Sequence, residues 1–206
     1  MTLIAVLDYG IGNLRSAEKA LEHVGADARL TADAGLIADA DAVVLPGVGA
    51  FGPCIEALRS RGLDEVALDA VASGRPFLGV CIGMQMLYES SEESPDVPGL
   101  GVLPGRIRRL PDGVKRPQMQ WNVLELSRTS AMLEGLESPT WMYFVHSYAP
   151  QMSVDVVATC DYGGPVAAAV ERGNVWATQF HPEKSGAPGL ALLTNFVRAA
   201  ASAPTH

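Results

Sequence analysis

The stretch from Pro76 to Glu89 changes its hydrophobic period at a cysteine. Phe77 to Val80 is a short apolar run typical of a strand, whereas apolar residues recur at helical spacing from Met84 onward. The pattern therefore predicts a strand that turns directly into a helix at Cys81. This turn constrains the fold more than any other feature, because it requires a strand and a helix to meet at one residue.

Two glycines, Gly79 and Gly83, flank Cys81 at the spacing G-x-C-x-G. This is the cysteine form of the nucleophile elbow, in which small neighbours permit a strained turn that exposes the reactive atom. A thiol there would face the start of a helix, whose partial positive charge favours the thiolate. The alternative is that Cys81 is a small buried residue of a core strand, which is common for free cysteine. These residues alone leave both alternatives open.

Strand-like and helical segments alternate before Cys81. Buried-strand patterns cover Leu3 to Leu7, Ala26 to Leu30 and Ala42 to Leu45, and helical patterns cover 14–24, 53–60 and 63–73. The order β-α-β-β-α-β predicts an α/β fold with a mostly parallel central sheet and helices on both faces. In such sheets, functional residues collect at the carboxyl ends of the strands.

The pattern changes after the Cys81 helix. Ser90 to Pro98 is acidic and rich in proline, which predicts a surface segment. Short strand-like runs follow at 105–110, 123–126, 141–145, 154–159, 166–170 and 175–179, and helical spacing returns from Pro188 to Ala201. We expect a mixed or antiparallel extension of the same sheet, and one domain over residues 1–206.

Composition narrows the classes of partner. The formal net charge of -8 and the scattered basic residues argue against a nucleic-acid partner. We find neither a leader pattern nor a membrane span in the sequence, and expect a cytoplasmic protein with no membrane association. Cys54, Cys81 and Cys160 are too few and too widely spaced for a disulfide framework or a zinc site, so we expect no metal.

A glycine-rich segment from Gly47 to Gly52 matches the dinucleotide fingerprint G-x-G-x-x-G after a strand. That fingerprint needs an acidic residue at the end of the next strand to hold the ribose. Asp64 and Glu65, which lie near the right distance, fall inside a helical pattern, and Phe51 is bulky where phosphates need close backbone approach. Dinucleotide binding is therefore a poor fit.

A second chemical motif begins at His181, where a strand gives way to a helix. Pro182 favours an extended conformation at His181, so that Glu183 projects to the same side as the imidazole. A carboxylate bonded to one imidazole nitrogen leaves the other free to take or give a proton. The alternative is an ordinary loop histidine followed by an acid at a helix N-terminus. Together with Cys81, the pair indicates nucleophilic catalysis.

Thiolate attack on a carboxamide creates an oxyanion, which requires preorganised N–H donors. The backbone N–H of Ile82, directly after Cys81, is one candidate. The segment from Pro46 to Gly49, at the end of a neighbouring strand, supplies others at Val48 and Gly49, because its glycines leave the backbone unobstructed.

Four motifs together resemble the class I, triad-type glutamine amidotransferases. They are Gly79 to Gln85, Pro46 to Phe51, Tyr143 to Tyr148 and His181 to Ser185. The resemblance runs from Leu3 to Val197 and implies a flavodoxin-like α/β fold with Cys81, His181 and Glu183 as the triad. Gln120, in a segment expected to form a loop, departs from the glycine usual in the family.

The resemblance also implies the substrate, the partner and their residues. L-Glutamine would be held by Gln85, Glu93 and the backbone near Ser147 and Tyr148, and no cofactor is implied. Within the class, the motifs resemble the branch that passes ammonia to a separate (β/α)8-barrel cyclase subunit, in a heterodimer that serves histidine biosynthesis. The candidates for the partner surface are Asn13, Trp121, Tyr143 and Lys184; for the two aromatic residues, core packing is the alternative.

Two other functions stay open at this point. One is a different cysteine hydrolase, such as a peptidase or esterase, built on a similar elbow. The other is a binding module with a vestigial site, against which the intact Cys81, His181 and Glu183 argue.

Overall fold

The computed structural model describes residues 1–12 and 14–203. Its elements in chain order are β1 (Leu3–Leu7), α1 (Leu14–His23), β2 (Asp27–Thr31), α2 (Ala34–Asp39), β3 (Ala42–Gly47), α3 (Phe51–Ser60), α4 (Leu63–Ala72), β4 (Phe77–Cys81), α5 (Ile82–Met86), β5 (Tyr88–Ser91), β6 (Leu103–Arg109), β7 (Gln118–Leu126), β8 (Thr140–His146), β9 (Tyr148–Pro150), β10 (Val156–Asp161), β11 (Pro165–Arg172), β12 (Val175–Thr178) and α6 (Gly186–Ser202). Short 3-10 helices cover Ala131–Leu133 and Pro182–Lys184.

A nine-stranded sheet forms the centre, in the order β2-β1-β3-β4-β12-β11-β10-β7-β8. The first five strands pair in parallel, and the pairs from β12 to β8 are antiparallel. The parallel half has the doubly wound order of flavodoxin-like folds. The predicted α/β class, with a parallel sheet and an antiparallel extension, is confirmed.

The inner parallel strands β1, β3 and β4 are apolar because helices cover them. β3 and β4 are buried along their whole length, as expected for strands with both faces in the core. α1 buries Leu14, Ala17, Ala20 and Leu21, which recur at helical spacing. The hydrophobic residues whose spacing predicted these elements are therefore the residues that the elements bury.

A smaller sheet of three strands lies beside the large one, in the order β5-β6-β9. The expectation that all later strands extend one sheet was wrong for β6, which pairs with β5 and β9 instead. The segment from Ser90 to Pro98 is also not simply surface: β5 ends within it and Ser91 is buried. α5 is shorter than predicted, since the chain leaves the helix after Met86 to enter β5.

Two further differences concern β7 and α2. Gln120, which was expected in a loop, lies within β7. α2 was not predicted, because its six residues are too few to show a helical repeat; Asp33 caps it by accepting a hydrogen bond from the Leu36 backbone N–H at 2.8 Å.

Across residues 1–12 and 14–203, no helix is both long and apolar enough to cross a membrane.

Candidate active site

Cys81 ends β4 and directly precedes α5, at the turn that the sequence predicted. Its backbone has φ 56° and ψ -112°, and in the described part of the chain it is the one non-glycine residue with positive φ. Such a conformation is costly for a residue with a Cβ and persists only where the surroundings enforce it. The strained turn of a nucleophile elbow is therefore present at Cys81.

The two flanking glycines are required by close contacts. A Cβ on Gly83 would lie 1.8 Å from the carbonyl oxygen of Leu45, and one on Gly79 would lie 2.9 Å from a side-chain carbon of Leu87. The elbow thus packs against the end of β3 and against the residue that follows α5. Neither position has room for a side chain.

His181 and Glu183 form the predicted pair. His181 is extended, with φ -100° and ψ 97°, and Glu183 lies in the 3-10 helix that begins at Pro182. The imidazole Nδ1 lies 2.7 Å from Glu183 Oε1, and both side chains are almost completely buried. The carboxylate therefore fixes the orientation of the ring and directs Nε2 away from itself.

The protonation of His181 follows from this environment. Burial lowers the pKa of His181, but the Cys81 thiol and the Glu183 carboxylate outweigh it and raise the pKa to about 9. Nε2 makes no hydrogen bond within residues 1–12 and 14–203. His181 can therefore hold a proton at neutral pH and still present Nε2 to a reactant.

Cys81 and His181 line a cavity of about 380 Å³. Segments that follow β3, β4, β8 and β12 line it, at the carboxyl ends of strands, where α/β sheets bind their ligands. Its lining includes Cys81, His181, Val48, Gly49, Ile82, Gln85, Glu93, Ser147, Tyr148 and Lys184. The structure thus brings together every predicted oxyanion and substrate residue, and it adds His146, which the sequence had not singled out.

The segment from Pro46 to Gly49 is held from the core side. The Tyr9 hydroxyl donates to the Pro46 carbonyl oxygen at 2.6 Å, and the Cys54 thiol donates to the Val48 carbonyl oxygen at 3.4 Å. Burial raises the pKa of both Tyr9 and Cys54, so both stay protonated as donors. Gly49 has φ +107°, which favours glycine. These contacts fix the peptide groups that approach the cavity.

Gln85 is nearly fully buried at the cavity wall. Its Nε2 donates to the Tyr148 carbonyl oxygen at 3.0 Å and to Gln179 Oε1 at 3.0 Å. Its own oxygen has no hydrogen-bond partner in the described part of the chain. A buried acceptor without a donor is costly, so this oxygen is suited to meet a donor on a bound molecule.

Glu93 combines a structural contact with its position at the cavity. Its Oε2 accepts a hydrogen bond from the Phe51 backbone N–H at 2.8 Å, at the start of α3. Glu93 therefore caps α3 and also lines the cavity. Its negative charge is available to a cationic group there.

Gln179 is a residue that the sequence argument passed over. It follows β12, is fully buried, and its Nε2 lies 3.8 Å from Cys81 Sγ. The sequence signal was its place at the end of the predicted strand 175–179, two residues before His181. Nothing in the sequence shows what its amide contacts.

The predicted partner residues that the structure describes are each at least partly accessible to solvent. Trp121 is 48% exposed and Tyr143 is half-buried, so core packing was wrong for Trp121. The two rings meet edge to face, with centroids 6.0 Å apart. Lys184 lines the cavity itself. Asn13 lies outside the described residues.

The site and fold define a class of protein. A family profile for glutamine amidotransferase class-I matches residues 5–200, and the chain belongs to this family of glutamine-hydrolysing enzymes. A solved structure described as the crystal structure of glutamine amidotransferase has a TM-score of 0.74 at 25% identity, and the match covers 96% of this chain and 98% of that one.

Curated relatives place the chain within the class. "Imidazole glycerol phosphate synthase subunit HisH" of Methanothermobacter thermautotrophicus is 52% identical over 196 residues, which cover 95% of this chain and 98% of the relative. The protein of the same name from Syntrophotalea carbinolica is 48% identical over 203 residues, covering 94% and 98%. The chain therefore falls in the HisH branch of the class, and the predicted class and branch are confirmed.

Proposed function

We propose that the chain is the glutaminase subunit of imidazole glycerol phosphate synthase and hydrolyses L-glutamine to glutamate and ammonia at Cys81, in histidine biosynthesis. The observation that carries the proposal is that the elbow thiol and the carboxylate-bound imidazole of His181 open on one cavity. The names of the relatives support the choice of synthase within the class.

The triad residues account for the bonds that change. The thiol proton resides on His181 Nε2, so the Cys81 sulfur attacks the side-chain carbonyl carbon of glutamine as the thiolate, and the carbonyl π electrons move to oxygen. When the intermediate collapses, the C–N bond breaks and the proton on His181 leaves with ammonia. Water then attacks the glutamyl thioester with His181 as base, the C–S bond breaks, and glutamate is released. Glu183 keeps the ring oriented throughout.

Backbone donors stabilise the charged intermediates. The N–H of Ile82 stands at the start of α5, next to the nucleophile. Val48 and Gly49, on the segment that Tyr9 and Cys54 hold, also line the cavity beside Ile82 and would supply the second donor. A donor of this kind contributes about 3 kcal/mol to stabilising the transition state.

The remaining cavity residues fit the amino-acid end of glutamine. The unpartnered oxygen of Gln85 and the carboxylate of Glu93 would accept from the substrate's ammonium group. The backbone at Ser147 and Tyr148 would hold its carboxylate. A carboxylate and a buried amide oxygen are suited to a cation, which favours a free amino acid over an internal peptide residue.

The experiment that tests this function uses an electrophilic glutamine analogue and peptide mapping by mass spectrometry. We expect the analogue to label Cys81 and free L-glutamine to protect it. Cys54 and Cys160, both buried, serve as internal controls that stay unlabelled. Labelling that glutamine does not slow, or that a short peptide slows instead, would support the peptidase or esterase alternative. Absence of labelling in the folded protein would support a vestigial site.

An apolar patch marks where a cyclase subunit would dock. β7 and β8 pair antiparallel, so alternate residues share one face. That face carries the exposed side chains of Met119, Trp121 and Trp141, together with Tyr143 and Val145. Val145 also lines the cavity, so the patch is continuous with the site that releases ammonia. Large exposed apolar patches are typical of protein interfaces, and a barrel-shaped cyclase in a heterodimer is the partner we propose.

Replacement of one aromatic residue tests this surface. We expect Trp121→Ala to weaken binding of the purified cyclase subunit by about thirtyfold, as for a central interface tryptophan, measured by isothermal titration calorimetry. Leu126→Ala is a matched control, because Leu126 is exposed on the same strand beyond the patch. Equal affinities for the Trp121→Ala variant and the unmodified protein would place the partner elsewhere.

A further inference from the structure

Gln179 contacts the reacting atom of the enzyme. Its side-chain Nε2 lies 3.8 Å from Cys81 Sγ, and the whole residue is inaccessible to solvent. It follows β12, the strand that pairs in parallel with β4, which carries Cys81. Its backbone N–H donates to the Ala168 carbonyl oxygen at 2.8 Å. The main chain thus holds Gln179 at a fixed distance from the elbow.

The orientation of the Gln179 amide follows from its neighbours. The carbonyl oxygen of Tyr148 can only accept, so the Gln85 atom 3.0 Å away is the NH₂ group. The same NH₂ group lies 3.0 Å from the side-chain amide of Gln179, which must therefore present its oxygen there. The NH₂ group of Gln179 is left facing the Cys81 sulfur. The position of the Gln179 NH₂ group is therefore fixed by the Tyr148 backbone carbonyl, through the side chain of Gln85.

The other polar contact of the sulfur has the opposite character. The Cys81 thiol points to the Val145 carbonyl oxygen at 3.9 Å, where it can act only as a donor. Once the thiol loses its proton, that oxygen offers nothing to the thiolate, whereas an amide N–H does. Gln179 is therefore suited to the ionised sulfur and Val145 to the neutral one.

We propose that Gln179 is a catalytic residue that donates a hydrogen bond to the thiolate of Cys81 when His181 takes the thiol proton. Gln179 gives up no proton itself. It stabilises the thiolate before attack, and again when the thioester C–S bond breaks and the sulfur leaves as thiolate. Gln85 serves as the positioning residue that keeps the Gln179 amide turned this way. This inference rests on the proposed role of Cys81 as nucleophile.

Two variants of Gln179 separate this role from a structural one. Gln179→Leu removes the donor, and Gln179→Glu keeps an acceptor for Gln85 but puts an anionic oxygen toward the sulfur. If the role of Gln179 is merely structural, the Cys81 reactivity of the Glu variant should be closer to that of the unmodified protein than the reactivity of the Leu variant is. A donor role predicts the reverse order. Thr178→Val is the control, since Thr178 is equally buried on the same strand and its hydroxyl bonds the Phe180 carbonyl oxygen, away from Cys81.

The measurement is the rate at which iodoacetamide alkylates Cys81 at neutral pH, followed by peptide mapping. A hydrogen bond to a charged group raises the population of the thiolate by about tenfold or more. The stabilised thiolate is also a weaker nucleophile, which offsets about half of this gain in rate on a logarithmic scale. We therefore expect Gln179→Leu to react about threefold to tenfold more slowly, Gln179→Glu more slowly still, and Thr178→Val within about twofold of the unmodified protein. The turnover number for glutamine should fall in the same order with little change in KM.

The outcomes are distinct. If the Glu variant reacts as fast as the Leu variant or faster, or if both match the unmodified protein, the donor role is wrong. If the Leu variant fails to fold, as judged by circular dichroism, the alkylation rates of the Glu variant and the unmodified protein are compared instead. Equal rates would then show that the donor role is wrong. Alkylation uses no glutamine, so a protein that never hydrolyses glutamine would overturn the proposed function while the alkylation rates still decide the role of Gln179.

Discussion

Cys81, His181 and Glu183 follow from the carboxyl ends of two neighbouring strands, β4 and β12. The elbow forces Cys81 into a positive-φ turn, and the Glu183 carboxylate holds the His181 imidazole at 2.7 Å. Because the thiol and the carboxylate together outweigh burial, the pKa of His181 rises to about 9. The imidazolium therefore persists through neutral pH, where it can protonate leaving ammonia.

Replacement of Glu183 tests this electrostatic account. In Glu183→Gln the neutral amide no longer favours the imidazolium, so the pKa of His181 falls and His181 loses its proton at lower pH. We expect the alkaline limb of the pH profile of turnover to move to lower pH, and turnover to fall about a hundredfold or more because the ring orientation is lost. Steady-state ammonia release across the pH range measures both effects.

Glu125→Gln, at an exposed carboxylate on β7, provides the matched control and should leave the profile in place. An unchanged alkaline limb in Glu183→Gln would show that the carboxylate does not set the protonation of His181.

For single residues, the sequence predicted those roles that depend on neighbouring positions in the chain. The elbow glycines and the His181-Pro182-Glu183 tripeptide carry their geometry in neighbouring residues, so the triad was predictable. Gln179 was not, because its function depends on a contact with Gln85, 94 positions away. Likewise, the use of Glu93 as the cap of α3 joins residues 42 positions apart.

Among the elements, β4 and α5 form the junction on which the site depends. The elbow packs so closely on the end of β3 that Gly83 has the Leu45 carbonyl oxygen where a Cβ would be. This closeness brings the Pro46 to Gly49 segment beside Ile82, since Gly47 and Cys81 pair across the sheet. The geometry of the oxyanion donors is therefore a property of strand packing.

We expect Gly83→Ala to lower the free energy of unfolding by about 3 kcal/mol or more, because backbone must move to admit the methyl group. Gly74→Ala is the control: unlike Gly83, Gly74 has positive φ, and a Cβ there meets nothing within 4 Å. Its cost should be about 1 kcal/mol, from backbone strain alone. Urea unfolding measures both, and equal costs would mean that the elbow is not tightly packed.

His146 joins the two sheets at the edge of the site. At the end of β8, its Nδ1 lies 2.8 Å from the Tyr148 carbonyl oxygen in β9, and its Nε2 lies 3.0 Å from the Gln118 side chain in β7. Burial, assisted by the nearby His181, lowers the pKa of His146 to about 4 in spite of the bond to Tyr148. The folded protein thus prefers this imidazole neutral.

A pH dependence of stability follows. The pKa of His146 is depressed in the folded state, so its contribution is complete above the unfolded value and declines as pH falls from about 6.5 toward 4. The free energy of unfolding should fall by about 2 kcal/mol between roughly pH 7 and pH 5 through this residue alone. In His146→Gln, urea titrations at the two pH values should show a loss smaller by that amount. The same loss in both proteins would mean that His146 titrates normally when folded.

The elements also show where sequence patterns stop being informative. The parallel half was predictable because each helix and strand carries its own hydrophobic repeat. The small sheet was not, because β5 and β9 have four and three residues and their pairing with β6 is decided by tertiary contacts. The shortness of α5 has the same cause, since β5 begins where the helical spacing would continue.

Over the whole molecule, the catalytic cavity and the apolar patch lie on the same side of the sheet edge formed by β7 and β8, and Val145 belongs to both. A partner on the patch would therefore stand next to the point of ammonia release. That the 206 residues form one domain and act in the cytoplasm stays a prediction from the sequence; the contiguous core that spans both halves of the large sheet supports the first.

The most direct test of the account is glutamine-dependent ammonia release by the chain together with its cyclase subunit and the cyclase's nucleotide ligand, compared with the same mixture containing Cys81→Ser. The unmodified chain should hydrolyse glutamine slowly alone and much faster in the complete mixture. The Cys81→Ser variant should bind the cyclase equally well and lose turnover by about 10⁴-fold or more. Retained turnover in that variant would contradict the assignment of Cys81 as the nucleophile, and with it the function proposed for this chain.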